Sequence, residues 1–133
     1  MLRMKRIVFI VIIIAVIGAG TFGIKYLIDV QNYKKTISNL KIDTIDISNI
    51  PDGKYTGVCD TKFVGSEVLV TVKDKKITDI KLVNHKNERG KPAEVILENV
   101  IKAQSLKVDT ISGATNSSKV ILKSIENALD TVK

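Results

Sequence analysis

Glu67-Val68-Leu69-Val70-Thr71-Val72-Lys73-Asp74-Lys75-Lys76-Ile77-Thr78-Asp79-Ile80-Lys81-Leu82-Val83-Asn84 is the stretch on which the fold turns. Val68, Val70 and Val72 fall on one side of an extended chain, with Leu69 and Thr71 on the other, which is the period of a half-buried strand. Ile77 to Asn84 reads as a second strand, in which Ile80 and Leu82 share a face. Asp74-Lys75 between them is polar and fits a tight reversal, so the two strands pair antiparallel.

Upstream, Lys54 to Asp60 reads as another strand, opened by the turn signal Pro51-Asp52-Gly53, which also marks a domain boundary. Downstream, His85 to Lys91 is a polar loop, and Pro92 stands where a first helical turn tolerates it. Ala93, Ile96, Leu97, Val100 and Ile101 then follow the 3.6-residue stripe of an amphipathic helix. Leu106-Lys107-Val108 suggests a short returning strand. Ile121, Ile125, Ala128, Leu129 and Val132 place a second stripe on a final helix. Helices this short are unstable alone in water and must lie on the sheet. The expected fold is α+β, a small antiparallel sheet packed with two amphipathic helices and preceded by one N-terminal transmembrane helix.

That leading helix rests on Ile7–Ile24, eighteen residues without a charge. Their length just crosses the hydrocarbon layer. Gly18-Ala19-Gly20 offers a cleavage site for a signal sequence, but the run is longer than a usual signal core, which favours a retained anchor. Arg3, Lys5 and Arg6 lead it, while Lys25, Lys34 and Lys35 follow. The basic flanks nearly tie; the short leading tail and its free amine place the N-terminus inside and the domain on the extracytoplasmic side of the cytoplasmic membrane. Residues 29–50 show no sustained period and read as a juxtamembrane tether. The chain of 133 residues thus divides into a membrane anchor (or signal sequence) at 1–28, a tether at 29–50 and a domain at 51–133.

The formal charge of +7 is misleading. Residues 1–28 hold four of the 21 basic residues and none of the 14 acidic ones, leaving the remainder only mildly basic. Its lysines are scattered with few aromatics between them, unlike a nucleic-acid groove. Cys59 is the sole cysteine, so an internal disulfide is impossible, and with one histidine no metal-ligand spacing exists. Cys59 reads as a small apolar residue in a strand.

Between the last strand and the final helix lies Asp109-Thr110-Ile111-Ser112-Gly113-Ala114-Thr115, followed by Asn116-Ser117-Ser118-Lys119. A hydroxyl-rich turn that runs into a helix presents outward-facing N–H groups, and these attract phosphate. Ordinary helix capping uses the same residue types. The segment resembles the Asp-x-x-Ser/Thr-Gly-Ala-Thr acceptor sequence of the FMN-binding domain family. Asp52-Gly53-Lys54-Tyr55-Thr56-Gly57 resembles that family's opening, the hairpin over Val70–Lys73 and Lys76–Ile80 its centre, and His85 with Glu88 and Gly90 its loop. Relatives in the family include the covalent-flavin subunits of sodium-pumping NADH:quinone reductases and of Rnf complexes, of which this chain looks like a minimal form.

The resemblance implies that FMN is the cofactor and that Thr115 is its attachment residue, joined through a phosphoester by a flavin transferase that takes FMN from FAD. It marks Asp109, Gly113 and Ala114 as part of the acceptor sequence. Ser112, Asn116, Ser117 and Ser118 add hydroxyl and amide groups for the phosphate. Tyr55 and His85 are candidates to stack on the flavin ring; beyond residue 50 the aromatics are Tyr55 and Phe63 alone. The expected function is a membrane-anchored electron carrier, with a membrane-bound quinone- or NADH-linked redox partner and lipid around the N-terminal helix. A non-covalent FMN binder and a flavin-free envelope interaction domain are the alternatives. No nicotinamide fingerprint, triad or carboxylate pair is present, so an electron-transfer protein or complex subunit is expected rather than a free-standing enzyme.

Overall fold

A computed structural model describes residues 1–86 and 91–132. Two compact units result, Met1–Lys35 and Thr36–Lys133. The first is helical throughout, within α1 (Leu2–Asn39). Its Ile, Val and Phe side chains are exposed all around the helix axis. By length and composition it is apolar enough to cross a membrane.

The second unit is α+β. Strands β1 (Gly53–Thr61), β2 (Val64–Lys73) and β3 (Lys76–Lys86) form a three-stranded antiparallel meander in the order β1-β2-β3. Helix α2 (Ile96–Ala103), entered through a 3-10 turn at Lys91–Val95 that contains Pro92, packs on β3. Helix α3 (Thr115–Asp130) lies across β1 and β2. Val68, Val70 and Val72 from the sheet meet Ile96 and Val100 of α2 and Ile121, Ile125 and Leu129 of α3 in one core, all at most 1 % exposed. Burial of each such side chain stabilises the fold by roughly 1.5–3 kcal/mol.

Two irregularities in β3 decide what faces that core. The register passes from Ile77↔Val72 to Asp79↔Thr71, and from Leu82↔Val68 to Asn84↔Glu67. Thr78 and Val83 are therefore extra residues, each reversing the inside–outside alternation. The first brings Ile77 to the side of Ile80. The second turns His85, opposite Ser66, to the side of Leu82. The β2–β3 reversal is indeed Asp74-Lys75, and both residues are left-handed (φ 52° and 62°), the geometry of a two-residue hairpin turn.

Helix α3 approaches β1 so closely that a Cβ on Gly57 would lie 1.9 Å from the Ser124 carbonyl oxygen. Beside it, the buried Ser66 hydroxyl meets Ser124 Oγ at 2.8 Å and reaches the Val120 carbonyl at 3.3 Å. Gly57 and Ser66 together fix both the distance and the axial position of α3.

Two expectations need correction. The tether read over 29–50 does not stay outside the domain: Ile37, Ile45, Ile47 and Ile50 are buried, and the last three join the main core. Past the end of α1, residues 40–50 are coil and a 3-10 turn (Ile47–Asn49), so their backbone needs side-chain partners. Buried Glu126 of α3 accepts the Asp43 N–H at 3.1 Å, and Lys123 joins the Lys41 carbonyl (3.0 Å) to Glu126 (2.9 Å). Nor does Leu106-Lys107-Val108 form a strand. The Val108 N–H turns back on the Leu106 carbonyl at 3.0 Å, while Leu106 fills the core. The edge of β3 is closed instead by Gln104, left-handed at the end of α2, whose side-chain amide accepts from Ile77 N–H (2.7 Å) and donates to its carbonyl (2.8 Å).

Candidate functional site

The hydroxyl-rich segment begins as exposed coil at Asp109 and Thr110 and closes into a turn over Ile111–Ala114, where the Ala114 N–H reaches the Ile111 carbonyl at 2.9 Å. Gly113 sits third in this turn with φ +78°, a conformation that costs L side chains energy. A Cβ built there would meet nothing within 4 Å, so the turn faces open space. Ala114 is the cap of α3 and has no side chain able to accept from the first-turn N–H groups. Thr115 is the first helical residue and is exposed, as are Ser112 and Asn116.

The helix mouth is therefore uncapped and open, with one alcohol standing in it. Its partial positive charge stabilises an anion by about 0.3–1 kcal/mol when exposed and up to ~2 when partly buried. Ser117, on the same first turn, is 3 % exposed.

Ser118 departs from this pattern. It is fully buried, accepts the Ile111 N–H at 3.0 Å and donates to the Ala114 carbonyl at 2.8 Å. Expected among the phosphate ligands, it faces inward and braces the turn. Ala114, 6 % exposed, likewise belongs to the core.

The aromatic candidates are also placed differently from expectation. Along α3, Val120 and Ser124 lie over Ser66, and Ser124 and Ala128 over Gly57, so the helix starts toward the β1–β2 turn. Thr115 is about 7.5 Å farther on, from five residues at 1.5 Å each. Tyr55 lies on the other side of Gly57, packs against the core and donates its hydroxyl to the Pro51 carbonyl at 2.6 Å. The structure does not bring it to Thr115. Phe63, in the β1–β2 turn, is at the correct end of the sheet and half-buried.

His85 does stand at that end, opposite Ser66, but its side chain is only 3 % exposed, and Nδ1 is 3.1 Å from Glu94 Oε1. An enclosed ring offers no open face for stacking. It ties the end of β3 to the 3-10 turn that precedes α2. Glu88 and Gly90, read as part of the same loop, lie outside the described residues.

A depression lined by Asp60, Ser66, Glu67, Asn84 and Lys86 encloses about 120 Å³, well short of the roughly 300 Å³ where cofactor cavities begin. Cys59 beside it is half-buried; burial pushes its thiol pKa up, opposed by Lys123 and reinforced by Asp60 and Glu126. It is a protonated, weakly reactive thiol at neutral pH.

Comparison with known proteins identifies residues 65–130 as matching the FMN-binding domain family. This chain belongs to that family. The FMN-binding domain so defined runs from the start of β2 to the end of α3 and includes the Thr115 helix mouth. The chain is also 35 % identical over 92 residues to an NADH:acrylate oxidoreductase of Vibrio harveyi. The match covers 64 % of this chain and 9 % of that protein, so the chain spans about a tenth of its relative's length. The cofactor of the domain is FMN. The site's own chemistry fits such a group: an uncapped helix start, space beside Gly113 and exposed hydroxyls suit a flavin phosphate.

Proposed function

We propose that the chain is a membrane-anchored flavoprotein that carries electrons on the extracytoplasmic side of the membrane, with FMN joined through its phosphate to Thr115. The observation that carries this reading is the position of the Thr115 hydroxyl, exposed at the first residue of α3 behind a left-handed Gly113 with open space around it. Ser112, Asn116 and Ser117 flank it as hydrogen-bonding groups, and Asp109 is an exposed part of the acceptor sequence. Ala114 and Ser118 serve the site from beneath, by packing and by bracing the turn.

When bound, FMN supplies one- or two-electron transfer, and the protein supplies position. Covalent attachment suits an open helix mouth whose pull on phosphate is about 0.3–1 kcal/mol, too little to retain a diffusible cofactor outside a cell. The apolar helix within residues 1–28 anchors the domain in lipid with its N-terminus inside, and the domain begins at Thr36. Confinement to the membrane surface raises the effective concentration of a quinone- or NADH-linked redox partner. A flavin transferase is the maturation partner.

A chain produced together with an active flavin transferase is expected to be yellow and heavier by about 438 Da, the mass of FMN less water. Peptide mapping should place the adduct on Thr115, and Thr115→Ala should lack it. Yellow protein of unmodified mass would establish the non-covalent reading instead. Protease treatment of intact cells reads the sidedness: a domain that survives until the cells are lysed is cytoplasmic.

A further inference from the structure

The face of the sheet opposite α2 and α3 is open, and its charges form a pattern. The strand register sets residues side by side across it: Lys54, Thr71 and Asp79 at one end, Asp60, Gly65 and Lys86 at the other. The four charged corners therefore alternate in sign around the face, and all four are exposed. Between the ends, Val58 is 54 % exposed and Leu69 is half-buried. Lys81 and Glu67 stand in the same middle rows. Within these rows each lysine is matched by a carboxylate, so the face is neutral on a chain of +7. A neutral face of alternating sign suits neither an anionic membrane nor a nucleic acid.

We propose that this face is a two-fold docking surface for a second copy of the chain, packed sheet to sheet. Lys54 then meets the second copy's Asp60, and Asp79 meets its Lys86. Two symmetric arrangements bring the corners into opposite pairs. An axis across the strands, between Thr56 and Val58, gives the pairs just named, sets Lys81 on Asn84 and lays Glu67 beside Leu69. No like charges meet. An axis along β2 sets Lys54 on Asp79 and Asp60 on Lys86, but lays Glu67 on itself. Like charges directly opposed are destabilising, which selects the first. Stacked sheets cross at about 30°, and the flexible lysine stems span the offset this leaves at the corners.

The shape of the face agrees with its charge. Asp60 and Lys86 already meet at 2.9 Å across Gly65, and the depression of about 120 Å³ lies at this end. The opposing row of the second copy places Thr71 over Gly65, with Lys54 and Asp79 on either side to extend the ion pair into a network of four charges. At the centre, Val58 and Leu69 of both copies form the apolar patch. The rows measure about 14 by 24 Å, roughly 340 Å² per copy. Stable complexes bury about 800 Å² per partner, so the pair is transient and forms at high local concentration. Because α3 lies on the other face, both Thr115 helix mouths stay open in it. Flavin attachment and pairing therefore succeed or fail separately.

The test mixes isotope-labelled and unlabelled full chain at high concentration in nonionic detergent micelles. A carbodiimide then joins each amine to a carboxylate it touches, and mass spectrometry sorts the links. The intrachain Asp60–Lys86 link is the internal control for folding and reagent. Mixed-isotope links are expected at Lys54–Asp60 and at Asp79–Lys86. Lys54→Glu alone and Asp60→Lys alone turn two attractive pairs into repulsive ones, and each should lower the mixed Asp79–Lys86 link roughly tenfold. Mixing these two variants restores opposite charges at every corner and should return the link to within about twofold of wild type. Cys59 alkylation shows whether each variant is folded; where one is not, the wild-type link pattern decides. A failed rescue between folded variants overturns the proposal. So do mixed Lys54–Asp79 links, which mark the axis along β2, and Lys54–Asp60 links without Asp79–Lys86, which mark pairing edge to edge through β1. Mixed links confined to α1, or none at all, also overturn it, the first as association through the apolar helix and the second as a monomer.

Discussion

Replacement of Gly57 by alanine tests whether strand β1 sets the position of α3. The new Cβ would stand 1.9 Å from the Ser124 carbonyl oxygen, 2.4 Å from the Ala128 nitrogen and 2.7 Å from the Ala128 Cβ. Two of those atoms are backbone, so no rotamer change relieves the clash. Helix α3 must retreat by about 1–1.5 Å to restore ordinary contact. That movement stretches the 2.8 Å Ser66–Ser124 bond beyond hydrogen-bonding range. It also opens gaps beside Ile121, Ile125 and Leu129, each fully buried. Overpacking costs about 1–3 kcal/mol and the lost hydroxyl pair about 1 more. A total of roughly 2–4 kcal/mol is a large share of the ~5–15 kcal/mol that stabilises a domain. It should lower the Tm by about 10–30 °C at this size. Pulsed alkylation of Cys59, half-buried in β1, reports unfolding of this unit without interference from α1. Gly113→Ala is the control. It has open space and suffers only left-handed strain, about 1–2 kcal/mol. If Gly57→Ala melts within ~5 °C of wild type, or above Gly113→Ala, the close approach of helix and strand is wrong.

Three further outcomes follow from the same packing. Glu126→Ala removes the carboxylate that joins Asp43 to Lys123, and should cost about 2–3 kcal/mol; Asp43 amide exchange must accelerate, and an unaltered rate would mean the 36–50 segment is held otherwise. Lys75→Gly relieves a left-handed residue in the β2–β3 turn and should raise stability by about 0.5–1 kcal/mol, measured by thermal unfolding. Because burial raises the Cys59 pKa, the folded state favours its neutral thiol. That contribution to stability is complete below the unfolded thiol pKa and disappears as pH rises through the folded one. Alkylation of the native chain should therefore require higher pH than alkylation in denaturant; coincident pH profiles would contradict the assignment.

The hairpin and both domain helices were legible because their burial follows a single period, two for Val68–Val72 and 3.6 for Ile121–Leu129. Elements that obey no period were not. Ile42, Ile45, Ile47 and Ile50 match neither strand nor helix, yet they cover the core, because Lys123 and Glu126 satisfy the coil that carries them. The bulges at Thr78 and Val83 leave no compositional mark, although one of them determines that His85 faces inward. Gln104 looks like an ordinary polar residue after a helix, and only the free edge of β3 shows why an amide belongs there.

Within the acceptor segment the same limit has a sharper form. Ser112, Ser117 and Ser118 are one residue type within seven positions, and composition assigns all three to phosphate. Their separation depends on where α3 stops along the sheet. Gly57 admits the helix backbone and Ser66 holds Ser124 and Val120, so the helix cannot slide by a turn without moving Thr115 about 5.4 Å and burying the wrong hydroxyls. Two small residues in β1 and β2 thereby decide which alcohol faces outward from α3 and which braces the turn behind it.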